Sequence, residues 1–310
     1  MNTGERIANF QNLINKRKKL KDLNHLNRVG GDGAGQGYLV PAPVDYKHKR
    51  INSLGYRGPE FSSSNDFLFL GCSQTWGYSF EQEEVWPKFL SDKIEKTYSN
   101  ISAPGDSVQS QVAKAFSYFK EFGHPKYVIG ILPFARFEFP YISDTVVFKS
   151  LQPKPVFDKN EIPKVYFADI YIEYDLNNTK FAPSFSKTPH DVREFFPIEL
   201  ALYYNNIFIS ILEQYCESNN IKLLWSFWEA VDPVTDNLLK EKYKSYFSFP
   251  LEMHNQIPDI QTLKDEYFKV LASKYKMQDH FRVAPDACHF GTGKHIFIAD
   301  EIYNIIKDQI

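Results

Sequence analysis

A serine, a histidine and an aspartate stand in settings that suit acyl transfer. Ser73 lies in Gly71-Cys72-Ser73-Gln74-Thr75, directly after the apolar run Phe67-Leu68-Phe69-Leu70 and before a helical pattern entered through Trp76-Gly77. A tight, glycine-preceded turn between a buried strand and a helix presents a hydroxyl where the first backbone N–H groups of the helix point outward. Near the other end of the chain, Asp286-Ala287-Cys288-His289 puts an acid and an imidazole on one short loop. Acyl transfer needs a nucleophile, a base to take its proton, a group to orient that base, and donors for the developing oxyanion. In that scheme Ser73 is the nucleophile and, through its own N–H, one oxyanion donor. His289 is the base and Asp286 its orienter, since three residues on a tight loop let a carboxylate reach the distal ring nitrogen. The competing readings are a plain helix N-cap for Ser73 and a turn residue for Asp286.

Cys72 and Cys288 each adjoin a proposed member of this group. If the two chain ends meet, the thiols could pair, bind a metal with His289, or supply a Cys–His nucleophile. Side chains alternate at a strand end, so Cys72 is expected to point away from Ser73 and to pack in the core.

These residues need a scaffold that brings the two ends together. From residue 66 the chain alternates apolar runs with amphipathic stretches. Strands are expected at Asp66–Leu70, Tyr98–Ser102, Tyr127–Leu132 and Lys222–Phe227. Helices are expected at Glu83–Lys96, Ser107–Phe122, Glu199–Glu217 and Gly293–Asp308, with another near Thr262–Tyr275. Tyr127–Leu132 is apolar throughout, as a strand covered on both faces must be. The pattern predicts an α/β fold, a three-layer α/β/α sandwich around a central, mostly parallel sheet. Residues 1–60 read as a polar helix over 4–28 followed by an irregular Gly- and Pro-rich lead-in, and 61–310 as the α/β domain. Long stretches at about 139–198 and 230–284 break the rhythm and read as insertions, the first with a hairpin around Val165–Tyr174 and a turn at Asn177-Asn178.

Composition narrows the function classes. The 310 residues are 43% apolar, with 27 Phe and 19 Tyr, which is enough to bury a large core. A formal charge of −2 gives no general attraction to nucleic acid or to an anionic membrane. The basic run Lys16-Arg17-Lys18-Lys19 reads as the solvated face of a helix. Gly30-Gly31-Asp32-Gly33-Ala34-Gly35-Gln36-Gly37 lacks the Gly-Lys-Ser/Thr of a phosphate loop and reads as a linker or binding loop, with a nucleotide site as the remote alternative. There is no apolar segment of a signal peptide or membrane span, and three cysteines do not suggest a disulfide framework. A cytoplasmic or virion-associated protein is expected, with no cofactor, no metal, and neither nucleic acid nor membrane as partner.

Gly71-Cys72-Ser73-Gln74-Thr75 resembles the first block of the SGNH (GDSL-type) hydrolases, with Cys72 where Asp is usual. Asn100-Ile101-Ser102-Ala103-Pro104-Gly105 is similar to the second block, and the resemblance assigns the Gly105 N–H to the oxyanion hole. Asp286-x-x-His289 resembles the last block, with Gly291 and His295 similar to its continuation, although a lone histidine on a last helix also reads as structural. The flanks Asn52-Ser53-Leu54-Gly55-Tyr56-Arg57 and Glu83-Glu84-Val85-Trp86-Pro87 resemble members linked to acylation or deacylation of polysaccharides. The resemblance covers roughly residues 50–135 and 200–310. It implies a serine esterase acting on a small acyl ester or an acylated carbohydrate, an acyltransferase using the same triad, or an inactive binding or structural module. One departure is plain: where the family has an oxyanion Asn after the third strand, this chain has Leu132-Pro133-Phe134-Ala135-Arg136-Phe137-Glu138. Arg136 is either a substitute donor or the ion-pair partner of Glu138 or another acid.

Overall fold

The strands of the central sheet form where apolar side chains fill both faces of a run. In the computed structural model these are β1 (Phe67–Gly71), β2 (Tyr98–Asn100), β3 (Tyr127–Leu132) and β8 (Lys222–Phe227), paired in parallel in the order β2-β1-β3-β8. The structure describes residues 52, 54, 56–77, 80–103, 106–133, 137–139, 146–157, 163–174, 181–184, 198–228, 231, 233–249, 259–284 and 289–310. The expected helix over 4–28 and the Gly-rich run at 30–37 lie outside them.

Alternation along each strand separates two cores. Leu68, Leu70, Val128, Leu132, Leu223, Trp225 and Phe227 face one layer. That layer holds α3 (Val108–Phe122) and α4 (Ile198–Ser218), through Val112, Ala115, Phe119, Ile209 and Leu212. Phe67, Phe69, Ile129 and Ile131 face the other layer, which holds α2 (Trp86–Ile94), α6 (Glu266–Tyr275) and α7 (Thr292–Ile306). The pairing Phe67↔Tyr127 stacks two rings at 4.9 Å, and Phe69 meets Trp86 edge-on at 4.9 Å. The expected three-layer α/β/α sandwich is therefore the fold.

Most expected elements stand with small shifts, and the differences have local causes. The stretch Glu83–Lys96 is not one helix. A 3-10 turn at Gln82–Glu84 ends at extended Val85, and α2 begins at Trp86 with Pro87 in its first turn. Proline lacks an N–H and is tolerated where helical N–H groups have no internal acceptor. Likewise a 3-10 turn at Ile260–Thr262 precedes α6, whose start is set by Asp265 accepting from the Tyr267 N–H at 2.9 Å. Helix α5 (Pro233–Lys242) has no counterpart among the expected elements. Val234 and Leu238 on it are exposed, so its apolar periodicity is weak.

A second, antiparallel sheet, in the order β4-β5-β6-β7, is built from β4 (Phe137–Phe139), β5 (Val146–Phe157), β6 (Pro163–Tyr174) and β7 (Phe181–Ser184). It is larger than the hairpin expected around Val165–Tyr174, which corresponds to β6 and its pairing with β7. The expected turn at Asn177-Asn178 lies outside the described residues. Among the described residues no helix is long and apolar enough to cross a membrane.

Candidate functional site

The strand order places a topological switch at β1. The chain leaves β1 for β2 on one side and returns to β3 on the other, so the carboxyl ends of β1 and β3 are the switch point, where open α/β sheets take their ligands. Gly71 and Ile131 are paired at that edge. Gly71 has φ +152°, and a Cβ there would lie 2.0 Å from Thr75 Oγ1 and 2.6 Å from the Ile131 carbonyl oxygen. Only glycine fits, and the turn it permits leads at once into the one-turn helix α1 (Ser73–Trp76).

Cys72 is the N-cap of α1, extended and fully buried. Ser73 is the first helical residue, where its N–H has no acceptor inside the helix. The residue is 9% exposed, at the boundary of the core. Among the described residues the Ser73 hydroxyl has no hydrogen-bond partner.

Two arrangements that the sequence reading did not single out hold this turn. On one side, Arg57 is 1% exposed and donates to the carbonyls of Trp76 (2.7 Å), Gly77 and Phe80. Its guanidinium also stacks over the Trp76 ring at 5.1 Å. Burial lowers the guanidinium to about 10, which leaves it a cation at neutral pH. On the other side, the Gln111 side-chain carbonyl accepts the Gly71 N–H at 2.8 Å. The Gln111 amide nitrogen donates to Asp106, which also accepts from Ser110 Oγ at 3.1 Å and pairs with Lys114. Gln111, Asp106 and Lys114 are all fully buried. Burial pushes the Asp106 carboxyl up, to about 6, with Lys114, Ser110 and Gln111 opposing the rise.

The distant end of the chain comes to the same edge. The residues flanking 285–288 are joined by the Ala284 N–H donating to the His289 carbonyl at 3.0 Å and by the bridge Val283↔Phe290. His289 is half-buried. Gly291 lets α7 start hard against this junction: a Cβ on it would lie 2.3 Å from the Phe281 carbonyl oxygen.

One turn into α7, His295 is fully buried, accepts the Trp86 N–H on Nδ1 at 3.4 Å, and meets the Phe80 ring edge-on at 5.2 Å. Burial, with Arg57, His289 and Lys294 acting in the same direction, lowers His295 to about 3. It is thus a neutral acceptor holding the start of α2. Through this contact α7, which His289 precedes, reaches the start of α2, the helix that follows the Ser73 turn, while among the described residues no hydrogen bond joins the Ser73 hydroxyl to His289. Nearby, His280 Nε2 lies 3.0 Å from Glu84 Oε1.

Of the residues proposed from sequence as catalytic or oxyanion-binding, Ser73 and His289 are described, and both lie at the carboxyl edge of the sheet. Asp286, Gly105, Arg136 and Cys288 lie outside the described residues. Among the described residues no cluster of His, Cys, Asp and Glu could hold a metal.

Fold and site together define a doubly wound α/β protein with a strand–turn–helix serine at its topological switch. No protein-family model and no curated protein sequence matches the chain. Among solved structures, it is similar to the psychrotrophic esterase EstA from Pseudoalteromonas sp., in a form inhibited by monoethylphosphonate. The identity is 14% and the TM-score 0.40, over 79% of this chain and 97% of that one. It is also similar to a protein described as lipolytic and of the G-D-S-L family, from Desulfitobacterium hafniense, at 12% identity and a TM-score of 0.40. That match covers 78% of this chain and 99% of the other.

Proposed function

We propose that the chain is an ester hydrolase of the SGNH type, with Ser73 as nucleophile, His289 as base and Asp286 as the group orienting it. The observation that carries this reading is the placement of Ser73. It opens a helical turn at the switch-point edge, on a backbone conformation that Gly71 permits, and α7, which His289 precedes, reaches through His295 the start of α2, the helix after that turn. His289 takes the Ser73 proton as Oγ attacks the ester carbonyl, then returns it to the leaving alcohol, and water resolves the acyl-enzyme by the same steps. The Ser73 and Gly105 N–H groups are the oxyanion donors, with Arg136 in the place of the missing Asn. The substrate we propose is a carbohydrate carrying acetyl or another small acyl group. A sugar hydroxyl in place of water would make the same machinery an acyltransferase.

The absence of an Asn after β3 favours a second reading, a weakly active or inactive module of the same fold, because loss of one oxyanion donor costs ~10²–10³ in rate. Labelling with a fluorophosphonate, read by mass spectrometry, decides between them. The esterase reading expects an adduct on Ser73 that is lost in Ser73→Ala and His289→Ala. No adduct, together with no hydrolysis of p-nitrophenyl acetate, leaves the inactive module.

A further inference from the structure

We infer that Gln111 is a positioning residue that locks the Ser73 turn in register with the turn after β2, anchored by the buried Asp106–Lys114 pair. The inference rests on the reading of Ser73 as nucleophile. The two turns come from separate strands, whose pairing ends at Phe69↔Asn100, two residues short of Gly71. Three contacts carry the connection further: the Phe69 carbonyl accepts the Ile101 N–H at 3.0 Å, and two more involve Gly71. The Gly71 carbonyl accepts the Ala103 N–H at 3.3 Å, and the Gly71 N–H donates to Gln111 at 2.8 Å. Gln111 then passes the connection on, through its amide nitrogen, to Asp106 and, at 3.5 Å, to the Ile101 carbonyl. One side chain therefore touches the backbone two residues before Ser73 and the side chain immediately after Gly105.

The chemistry of the three buried groups fits this role better than a purely packing one. An apolar side chain at 111 would fill the space on α3 at no electrostatic cost, but would leave the Gly71 N–H without its acceptor in a dry interior and take from Asp106 one of the donors that hold it, Lys114 and Ser110 remaining. A buried ion pair contributes little net stability over apolar replacements of the same shape, and its best-attested use is to fix one register among several. Glutamine alone among uncharged side chains of this length both accepts from Gly71 and donates to Asp106. Lys114 supplies the charge that keeps Asp106 an acceptor. Its ammonium also lies 5.8 Å from the Tyr56 ring centre, beside the segment that carries Arg57. The register of the Ser73 N–H against the Gly105 N–H is the quantity an oxyanion hole depends on, and a misplacement of about 1 Å can cost ~100-fold in rate.

The test compares wild type with Gln111→Met and Gln111→Glu, reading fluorophosphonate labelling of Ser73 and the kcat and KM for p-nitrophenyl acetate across pH. Gln111→Met removes all three side-chain hydrogen bonds at nearly constant volume. It is expected to slow labelling and kcat by about 10–100-fold with KM within about twofold. Gln111→Glu keeps the acceptor for Gly71 but faces Asp106 with a second carboxylate. Its activity relative to wild type is expected to rise about tenfold as pH falls from 9 to 6 and a proton is restored between the two acids. Should Gln111→Met fail to fold, the pH profile of Gln111→Glu alone decides. If wild type is labelled and either folded variant keeps the wild-type rate and profile, the positioning role is overturned and the esterase reading stands. A wild type that is not labelled at Ser73 overturns the esterase reading, and the positioning role falls with it.

Discussion

At Gly71 a single missing side chain decides whether the Ser73 turn exists. The position combines φ +152° with the Thr75 hydroxyl and the Ile131 carbonyl pressed against the space a Cβ would occupy. Thr75 cannot yield easily, since it is fully buried and its hydroxyl points at the same carbonyl, 3.5 Å away. Gly71→Ala is therefore expected to destabilise the protein by about 3 kcal/mol, from backbone strain and overpacking acting together. A shift of the urea midpoint at unchanged slope would register it. An alanine variant as stable as wild type would mean the turn is looser than the contacts around it indicate. The rest of the pentapeptide follows from this residue: Cys72 goes to the core, as alternation along the strand requires, and Ser73 is left at the boundary.

Among the elements, α1 depends least on its own sequence, because four residues make a single turn and one turn is not stable alone. Arg57 supplies what the turn lacks by satisfying the carbonyls of Trp76, Gly77 and Phe80 from one planar fork. Lysine carries the charge but cannot reach three carbonyls from one point. Arg57→Lys is therefore expected to cost about 2–4 kcal/mol by chemical denaturation, and a loss below about 0.5 kcal/mol would contradict the fork. The same contrast explains how much could be read in advance. Strands β1, β3 and β8 announce themselves because Phe67–Gly71, Tyr127–Leu132 and Lys222–Phe227 are buried largely on both faces, and helices α3, α4 and α7 because their apolar residues repeat. Arg57 lies outside every periodic element of the sequence, so nothing around it marks it as buried. Gln111 and Lys114 share the inward face of α3 with Val112 and Ala115, yet a lysine on an amphipathic helix ordinarily reads as its solvated side. The one trace in the sequence is that Gln111 and Lys114 interrupt an apolar stripe that has Asp106 just upstream. That trace gains meaning only once β1 is seen to end against the helix.

Across the whole molecule, the layer of α2, α6 and α7 is held together by polar contacts as well as by its apolar core. Asp300 on α7 accepts the N–H groups of Lys264 (2.8 Å) and Asp265 (3.0 Å) at the start of α6. His295 on the same helix accepts the Trp86 N–H at the start of α2. His295 can do this only as the neutral ring, which makes the joint between chain ends sensitive to acid. In the unfolded chain the ring takes a proton near pH 6.5, whereas burial and the neighbouring Arg57, His289 and Lys294 delay this in the folded protein to about pH 3. Between those values the unfolded state holds the extra proton, so stability falls as pH drops through the window, by up to about 1.4 kcal/mol per pH unit. Asp106 acts in the opposite sense, because its raised carboxyl binds a proton in the folded state first and favours folding at the acid end. The two contributions overlap, so total stability against pH does not isolate either. A His295→Gln variant does: its side chain still offers an acceptor to Trp86 but does not titrate, while Asp106 is common to both proteins and cancels in the difference. Urea titrations at several pH values are expected to give the variant a flatter loss of stability between about pH 6.5 and 3 than wild type. Parallel curves would show that His295 does not make the joint acid-sensitive.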